Sequence, residues 1–436
     1  MKKGEELRGD WVRLDNAAKI YPPVISDELT AVFRISCILK SPVKIGSLIK
    51  AAEITSARFP YYNTILKRGF FWYYLEYSNN NPTVTGEEEY PLTAFPTGSR
   101  TKSLYRILAR GKRISVEFLH VLTDGGGALE YLKTLLVTYF RICGHKIEYG
   151  DGIIDPDSPI LEEELEDSFK RYYNKNIPKP KQLDRAWNFP FNVTGTKTIK
   201  ITEAELTVSE LKELARSENV SITEYLSAAY IFSMQEVFFD YYKIGYLPKH
   251  RKIRLEIPIN MRALLPSKTM KNFSLFVMPE IDLRLGRYTF EEIIRIVYHF
   301  MQTETDKKLI YRIITQNVKP ESNLFIRIMP LFIKDIVLNF AYNTFGPTKF
   351  TSVLSNMGVV RMPGECEDLI ESFSIIPPPP NKKTRVSCGV VSYGTKMRIT
   401  FANISESVEL ERRFFSLLAS RGINIKLINK KSRDGR

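Results

Sequence analysis

Ile114, Val116 and Phe118 alternate with Ser115 and Glu117, the two-residue period of a half-buried strand. Arg110-Gly111-Lys112 reads as a tight turn from an earlier strand over residues 103–109. After Gly127 the period changes. Leu129, Leu132, Leu136 and Tyr139, widened by Leu135 and Phe140, form a helical stripe, and Gly144 marks its stop. Upstream, the pattern predicts a strand over 31–40, a helix over 45–58 and a strand over 70–77.

The second half repeats this mixture. Thr207-Val208-Ser209-Glu210, Ser221-Ile222-Thr223-Glu224 and Thr289-Phe290-Glu291-Glu292 are capping-box patterns and predict three helix starts. Strands are predicted over 197–206, 253–259 and 275–283, near Thr351, and over 385–393 and 397–402. A last helix runs over 408–420 and ends before Gly422. The most apolar stretch, 324–342, is broken by Arg327, Pro330, Lys334 and Asp335, and predicts a kinked helix in a core or against an acyl pocket. Residues 147–191 turn from acidic to basic and proline-containing, a crossover with room for a helix over 160–173. The chain divides into a first lobe, 1–175, a linker, 176–195, and a second lobe, 196–436. Interleaved strands and helices imply an α/β class with α+β-type mixed sheets.

Composition supports this. The 436 residues suit about two to three domains. A hydrophobic content of 44% is enough for real cores and excludes general disorder. Met1-Lys2-Lys3-Gly4-Glu5-Glu6 has no apolar region of a secretory signal, and no uninterrupted run of about 18 apolar residues predicts a transmembrane helix. Cys37, Cys143, Cys366 and Cys388 form no CxxC pair, which predicts no zinc or redox site and a reducing cytoplasm. His145, His250 and His299 sit at no metal-ligand spacing, so no metal is expected. The net charge of +14 concentrates at 175–181, 249–254 and 426–436. Two readings stand: solvated loops and a tail, or attraction to a polyanion such as coenzyme A, an acidic acyl carrier protein or an anionic membrane surface. No nucleic-acid motif is present, so nucleic acid is not an expected partner.

The candidate chemistry lies at the strand-to-helix junction. His120 ends the strand and precedes Asp124-Gly125 by four residues. An imidazole there can take a proton from an alcohol or amine near pH 7. Asp124 can fix the local geometry, and it equally suits the N-cap of the following helix. Gly125, Gly126 and Gly127 permit a sharp turn and are expected to leave space beside the imidazole for a substrate. They are not a phosphate loop, because neither GxxxxGK[ST] nor GxGxxG fits.

His120-x-x-x-Asp124-Gly125 resembles the active-site signature of the chloramphenicol acetyltransferase superfamily. That group includes peptide-synthetase condensation domains, plant acyltransferases and alcohol acetyltransferases. Ile257-Pro258-Ile259-Asn260-Met261-Arg262 followed by Asn272-Phe273 is similar to the strand-then-Arg segment of these enzymes. Leu354-Ser355-Asn356-Met357-Gly358 and the opening Leu14-Asp15-Asn16-Ala17-Ala18-Lys19-Ile20-Tyr21-Pro22 resemble the alcohol acetyltransferase branch. Leu119 stands where condensation domains usually carry a first histidine, and the plant Asp-Phe-Gly-Trp-Gly motif is absent.

The resemblance implies two chloramphenicol acetyltransferase-like lobes with a tunnel between them and His120 near its middle. It implies acyl transfer from acyl-CoA, a co-substrate rather than a bound cofactor, to a small-molecule alcohol or amine. His120 would be the general base. Arg262 would hold Asp124 in a bidentate pair and so fix the loop. Ser355 and Asn356 would line the channel or donate to the oxyanion. A condensation-type enzyme fed by a carrier protein and a non-catalytic binding member are the other readings.

Overall fold

The computed structural model describes residues 11–431, apart from 80–81, 88–89, 97–102, 151, 179, 181, 196–197, 243–246 and 347, with the backbone alone at 341, 343–345 and 429–431. Two mixed sheets dominate. The first has the strand order Ile370–Ile376, Val32–Leu39, Arg113–Leu119, Tyr105–Arg110, Val84–Gly86. Phe33 pairs with Phe118 and Ile35 with Val116, so the alternation that marks the central strand also sets its register. The helices Ile45–Arg58 and Gly125–Ile142 pack on each other and cover this sheet. A hairpin, Thr64–Arg68 with Tyr73–Tyr77, is joined by Trp11–Arg13.

The second sheet has the path Ser274–Val277, Lys252–Asn260, Ser352–Val359, Val386–Tyr393, Lys396–Asn403, Lys200–Thr207, Lys426–Lys431. Glu280–Asp282 pairs further along Lys252–Asn260. Its helical side carries Ile222–Tyr241, Phe290–Glu304 and Glu409–Ser420, packed around Tyr230, Phe401 and Phe414. The first core is built around Tyr62, Tyr105, Phe118 and Tyr131.

One strand of the later sequence crosses into the first sheet. Ile370–Ile376 lies in the second sequence range, 196–436, yet pairs antiparallel with Val32–Leu39 and completes the first sheet. The division at 176–195 therefore cuts across the strand pairing. Gly389 of the second sheet has no side chain where Ile375 approaches; a Cβ there would stand 2.9 Å from the Ile375 side chain.

Other differences have local causes. The strand expected over 70–77 begins at Tyr73, because Gly69 to Trp72 form the hairpin turn. The strand expected over 275–283 splits around Pro279, whose carbonyl accepts from Leu255 N at 3.1 Å. The helix expected over 160–173 is reduced to Glu162–Leu165 and Ser168–Arg171. Ser221 and Thr289 form capping boxes; the Thr207 side chain makes no capping bond. The apolar stretch 324–342 kinks at Pro330 into Leu324–Ile328 and Leu331–Phe345, but it does not enter a core. Most of its large apolar side chains face outward, with Phe325 78% exposed, whereas Leu331 is buried. Among the described residues no helix is long and apolar enough to cross a membrane.

Candidate active site

The strand Arg113–Leu119 delivers His120 to the edge of the first core, where its N–H donates to the Ala31 carbonyl at 2.9 Å. The ring stacks on Tyr21, with centroids 5.2 Å apart and planes at 13°, and lies 4.6 Å from the Phe33 ring. It is half-buried, neither sealed in a core nor on an open face. Burial pushes its pKa below the ordinary value, against the hydrogen bond the ring donates to Asn272 and the charge of Asp124.

The tautomer follows from the hydrogen-bond network. The Asn272 amide Nδ2 donates to the Asp15 carboxylate at 2.9 Å and to the His120 carbonyl at 3.0 Å. Its Oδ1 therefore faces the ring and accepts from Nδ1 at 3.3 Å. Nδ1 holds the proton, and Nε2 is left with a lone pair. Asp15 is buried and also accepts from the Ala18 N–H at 2.7 Å. Burial pushes its carboxyl up to about 6. Asp15 and Asn272 thus orient the base from behind. Both sit inside the opening and Asn-Phe segments, where no local pattern marks them.

Both carboxylate oxygens of Asp124 are engaged within the protein. Its Oδ1 caps the helix by accepting from Gly127 N at 3.1 Å. Its Oδ2 accepts from Arg262 Nη1 at 2.9 Å, Phe273 N at 2.7 Å and Ser274 Oγ at 2.9 Å. Burial alone would raise this carboxyl; Arg262 and the backbone donors outweigh it and hold it below the usual range. Arg262 reaches Asp124 through one nitrogen rather than as a bidentate fork. Its other donors go to the carbonyls of Thr269, at 2.9 Å from Nε, and Lys271, and to Asn260 Oδ1 at 3.2 Å. It therefore ties the 269–273 loop to the His120 loop as well as balancing a charge.

The three glycines serve close approach between lobes, not substrate space. A Cβ on Gly125 would stand 2.7 Å from Met357 Sδ, and one on Gly126 3.0 Å from Arg262 Nη1. A Cβ on Gly127 would strike Thr123 Oγ1 and come within 2.6 Å of the Met270 carbonyl. Gly127→Ala should therefore cost about 1–3 kcal/mol, whereas Gly125→Ala meets only the mobile end of a methionine and should cost less. Denaturant melts of both variants check the order.

Ser355 and Asn356 separate. Leu354 is buried in the second core, so alternate residues Val353, Ser355 and Met357 point to the opposite face, where Met357 meets Gly125. Ser355 shares the inter-lobe face with Met357. Asn356 does not: its amide donates to Thr223 Oγ1 at 3.0 Å, and its Oδ1 accepts from Gly358 N at 2.8 Å. It braces a strand end against a helix start rather than lining a channel. Glu256, in register with Val353, shares the inter-lobe face, and burial raises its carboxyl to about 8. It carries no sequence signal beyond a charge inside an apolar strand.

Two of the four lysines and arginines at 249–254 are neutralised within the protein. Arg254 is buried and pairs with Asp184 at 2.8 Å and with Glu280, and Lys252 pairs with the same two carboxylates. In the other two clusters, Lys179, Lys181 and 432–436 lie outside the described residues.

No family model and no curated protein matches the chain. Solved structures do. Polyketide synthase associated protein 5 from Mycobacterium tuberculosis superposes with a TM-score of 0.60 at 14% identity, over 94% of this chain and 97% of that one. TRI101 of F. sporotrichioides, solved with coenzyme A and T-2, gives 0.59 at 13% identity, over 97% and 100%. The condensation domain of the Monacolin K polyketide synthase MokA gives 0.57 at 10%, over 95% and 97%. The chain shares the fold of these proteins, a condensation domain among them. The two sheets described above, each with its helices, form the two halves of the molecule. His120 stands near their junction, joined to second-lobe Asn272.

Proposed function

We propose that the chain transfers an acyl group from a thioester to a hydroxyl or amine, with His120 as general base. The observation that carries this reading is the commitment of Nδ1 to Asn272, which leaves Nε2 unprotonated on a half-buried ring at the lobe junction. The lowered pKa keeps that nitrogen unprotonated at neutral pH and so available to accept a proton. Nε2 takes the acceptor proton as the acceptor attacks the carbonyl carbon. The carbon–sulfur bond breaks, and the proton passes to the departing thiolate. Base catalysis of this kind is worth roughly 10²- to 10⁴-fold. Ser355, on the face that meets the His120 loop, is the candidate donor to the oxyanion. Asp124, Gly125 and Arg262 position the base without touching substrate.

Acyl-CoA is the proposed donor and an alcohol the first acceptor class. TRI101, solved with coenzyme A, supports the donor, and TRI3, a trichothecene 15-O-acetyltransferase that superposes with a TM-score of 0.57, supports the acceptor. Similarity to condensation domains keeps a carrier-protein donor as the second reading. The four cysteines are free, which suits a reducing cytoplasm. The test is thiol release from acetyl-CoA with a panel of alcohols and amines, repeated with an acyl carrier protein thioester. Acceptor-dependent release with coenzyme A is expected. Release with the carrier alone would favour the second donor, and release with neither would leave a binding module.

A further inference from the structure

The outer face of the helix pair Leu324–Ile328 and Leu331–Phe345 runs against ordinary amphipathic order. Phe325, Ile328, Phe332, Ile336 and Phe340 recur at three- and four-residue spacing, and each is 57–78% exposed. Phe70, 73% exposed, adjoins them, since its carbonyl accepts from Leu331 N at 2.8 Å. The opposite face of the second helix is charged and covered. Lys334 is 3% exposed, donates to the Phe71 carbonyl at 2.9 Å and lies 3.5 Å over the Trp72 ring. Asp335 pairs with Arg68 at 2.8 Å and accepts from the Tyr73 hydroxyl at 3.0 Å. Covering an ammonium while presenting phenyl rings to water costs free energy twice. A contiguous stripe of this kind marks a binding surface.

We infer that this face seats on the surface of an anionic lipid bilayer. The named side chains of the stripe are pure hydrocarbon. They offer none of the hydroxyl or ring N–H groups with which tyrosine and tryptophan enrich protein interfaces, whereas an acyl boundary needs none. Charge points the same way. Arg327 is exposed between Phe325 and Ile328, and Lys319 is exposed on the preceding helix Lys307–Ser322. The helix pair's carboxylate, Asp335, is already engaged. A second copy would set these cations against themselves on chains that each carry +14. A layer of anionic headgroups attracts every one of them. Asn339 of the second helix donates to the Pro23 carbonyl at 2.9 Å, two residues from the Tyr21 that stacks on His120. Seating on lipid therefore holds the candidate site close to the bilayer, where substrates with hydrocarbon chains reside.

This inference does not rest on acyl transfer. The full chain is sedimented with vesicles of phosphatidylcholine and phosphatidylglycerol, and with vesicles of phosphatidylcholine alone. Binding is expected to the anionic vesicles and to weaken with salt. Phe332→Ser with Phe340→Ser should weaken it at least about tenfold. Lys319→Gln with Arg327→Gln should weaken it at low salt and change it little at high salt. Neither pair should lower the melting temperature or change thiol release from water-soluble donors, which separates this inference from the chemistry. Equal vesicle binding by wild type and the Phe variant, or none by either, overturns it. A wild-type dimer that the Phe substitutions split, without vesicle binding, would assign the face to a second copy instead.

Discussion

His120→Ala should abolish acceptor-dependent thiol release, lowering it by roughly 10²- to 10⁴-fold, while the protein stays folded. Retention of the fold follows from the half-buried position of the ring, whose loss removes contacts with Tyr21 and Phe33 but opens no sealed core. Circular dichroism and a thermal melt separate the two effects. A variant that keeps the wild-type rate would refute the base assignment. The pH profile adds a second check. The neutral ring is the working form, and burial lowers its pKa, so the acid limb of kcat/KM should lie below the ordinary histidine value. The unfolded chain takes up this proton first as pH falls. The ring therefore costs stability progressively from the ordinary value down through the folded one.

Asp124→Asn should damage stability and turnover together. One carboxylate oxygen serves Arg262, Phe273 N and Ser274, and the other caps the helix. An amide in that place loses the charge opposite a largely covered guanidinium. Breaking such a pair costs about 3–5 kcal/mol. The sign against pH is fixed. The folded pKa lies below the unfolded one, so the wild type holds this contribution above the ordinary aspartate range and loses it as pH falls through the folded value. The variant lacks that dependence. Urea melts at neutral and acid pH should show a large difference that narrows on acidification. Full stability and full activity in the variant would remove Asp124 from its positioning role.

Much of this site was written in local pattern. The period change after Gly127 placed His120 at the junction, and the strand 113–119 and helix 125–142 stand there. Arg262 came from resemblance to a family segment, not from periodicity, since nothing local says that it reaches across 138 residues. Asp15 and Asn272 act through tertiary hydrogen bonds and had no signal of their own. Pattern reading also took the glycines for space because it saw no neighbours; Met357, Arg262 and Met270 occupy that space. The stretch 324–342 showed its kink through Pro330, but its direction was misread. Hydropathy suggested burial, whereas Trp72 and two backbone carbonyls draw Lys334 inward instead.

Ile370–Ile376 has a consequence for any attempt to divide the molecule. A polypeptide severed within 176–195 would leave its amino-terminal piece with Val32–Leu39 as a bare edge, rich in buried apolar residues and open to pairing with other chains. The carboxyl-terminal piece would keep every strand of the second sheet but leave Ile370–Ile376 without its partner. Separately expressed pieces should aggregate, and co-expression should rescue both, because the missing border travels with the carboxyl-terminal partner.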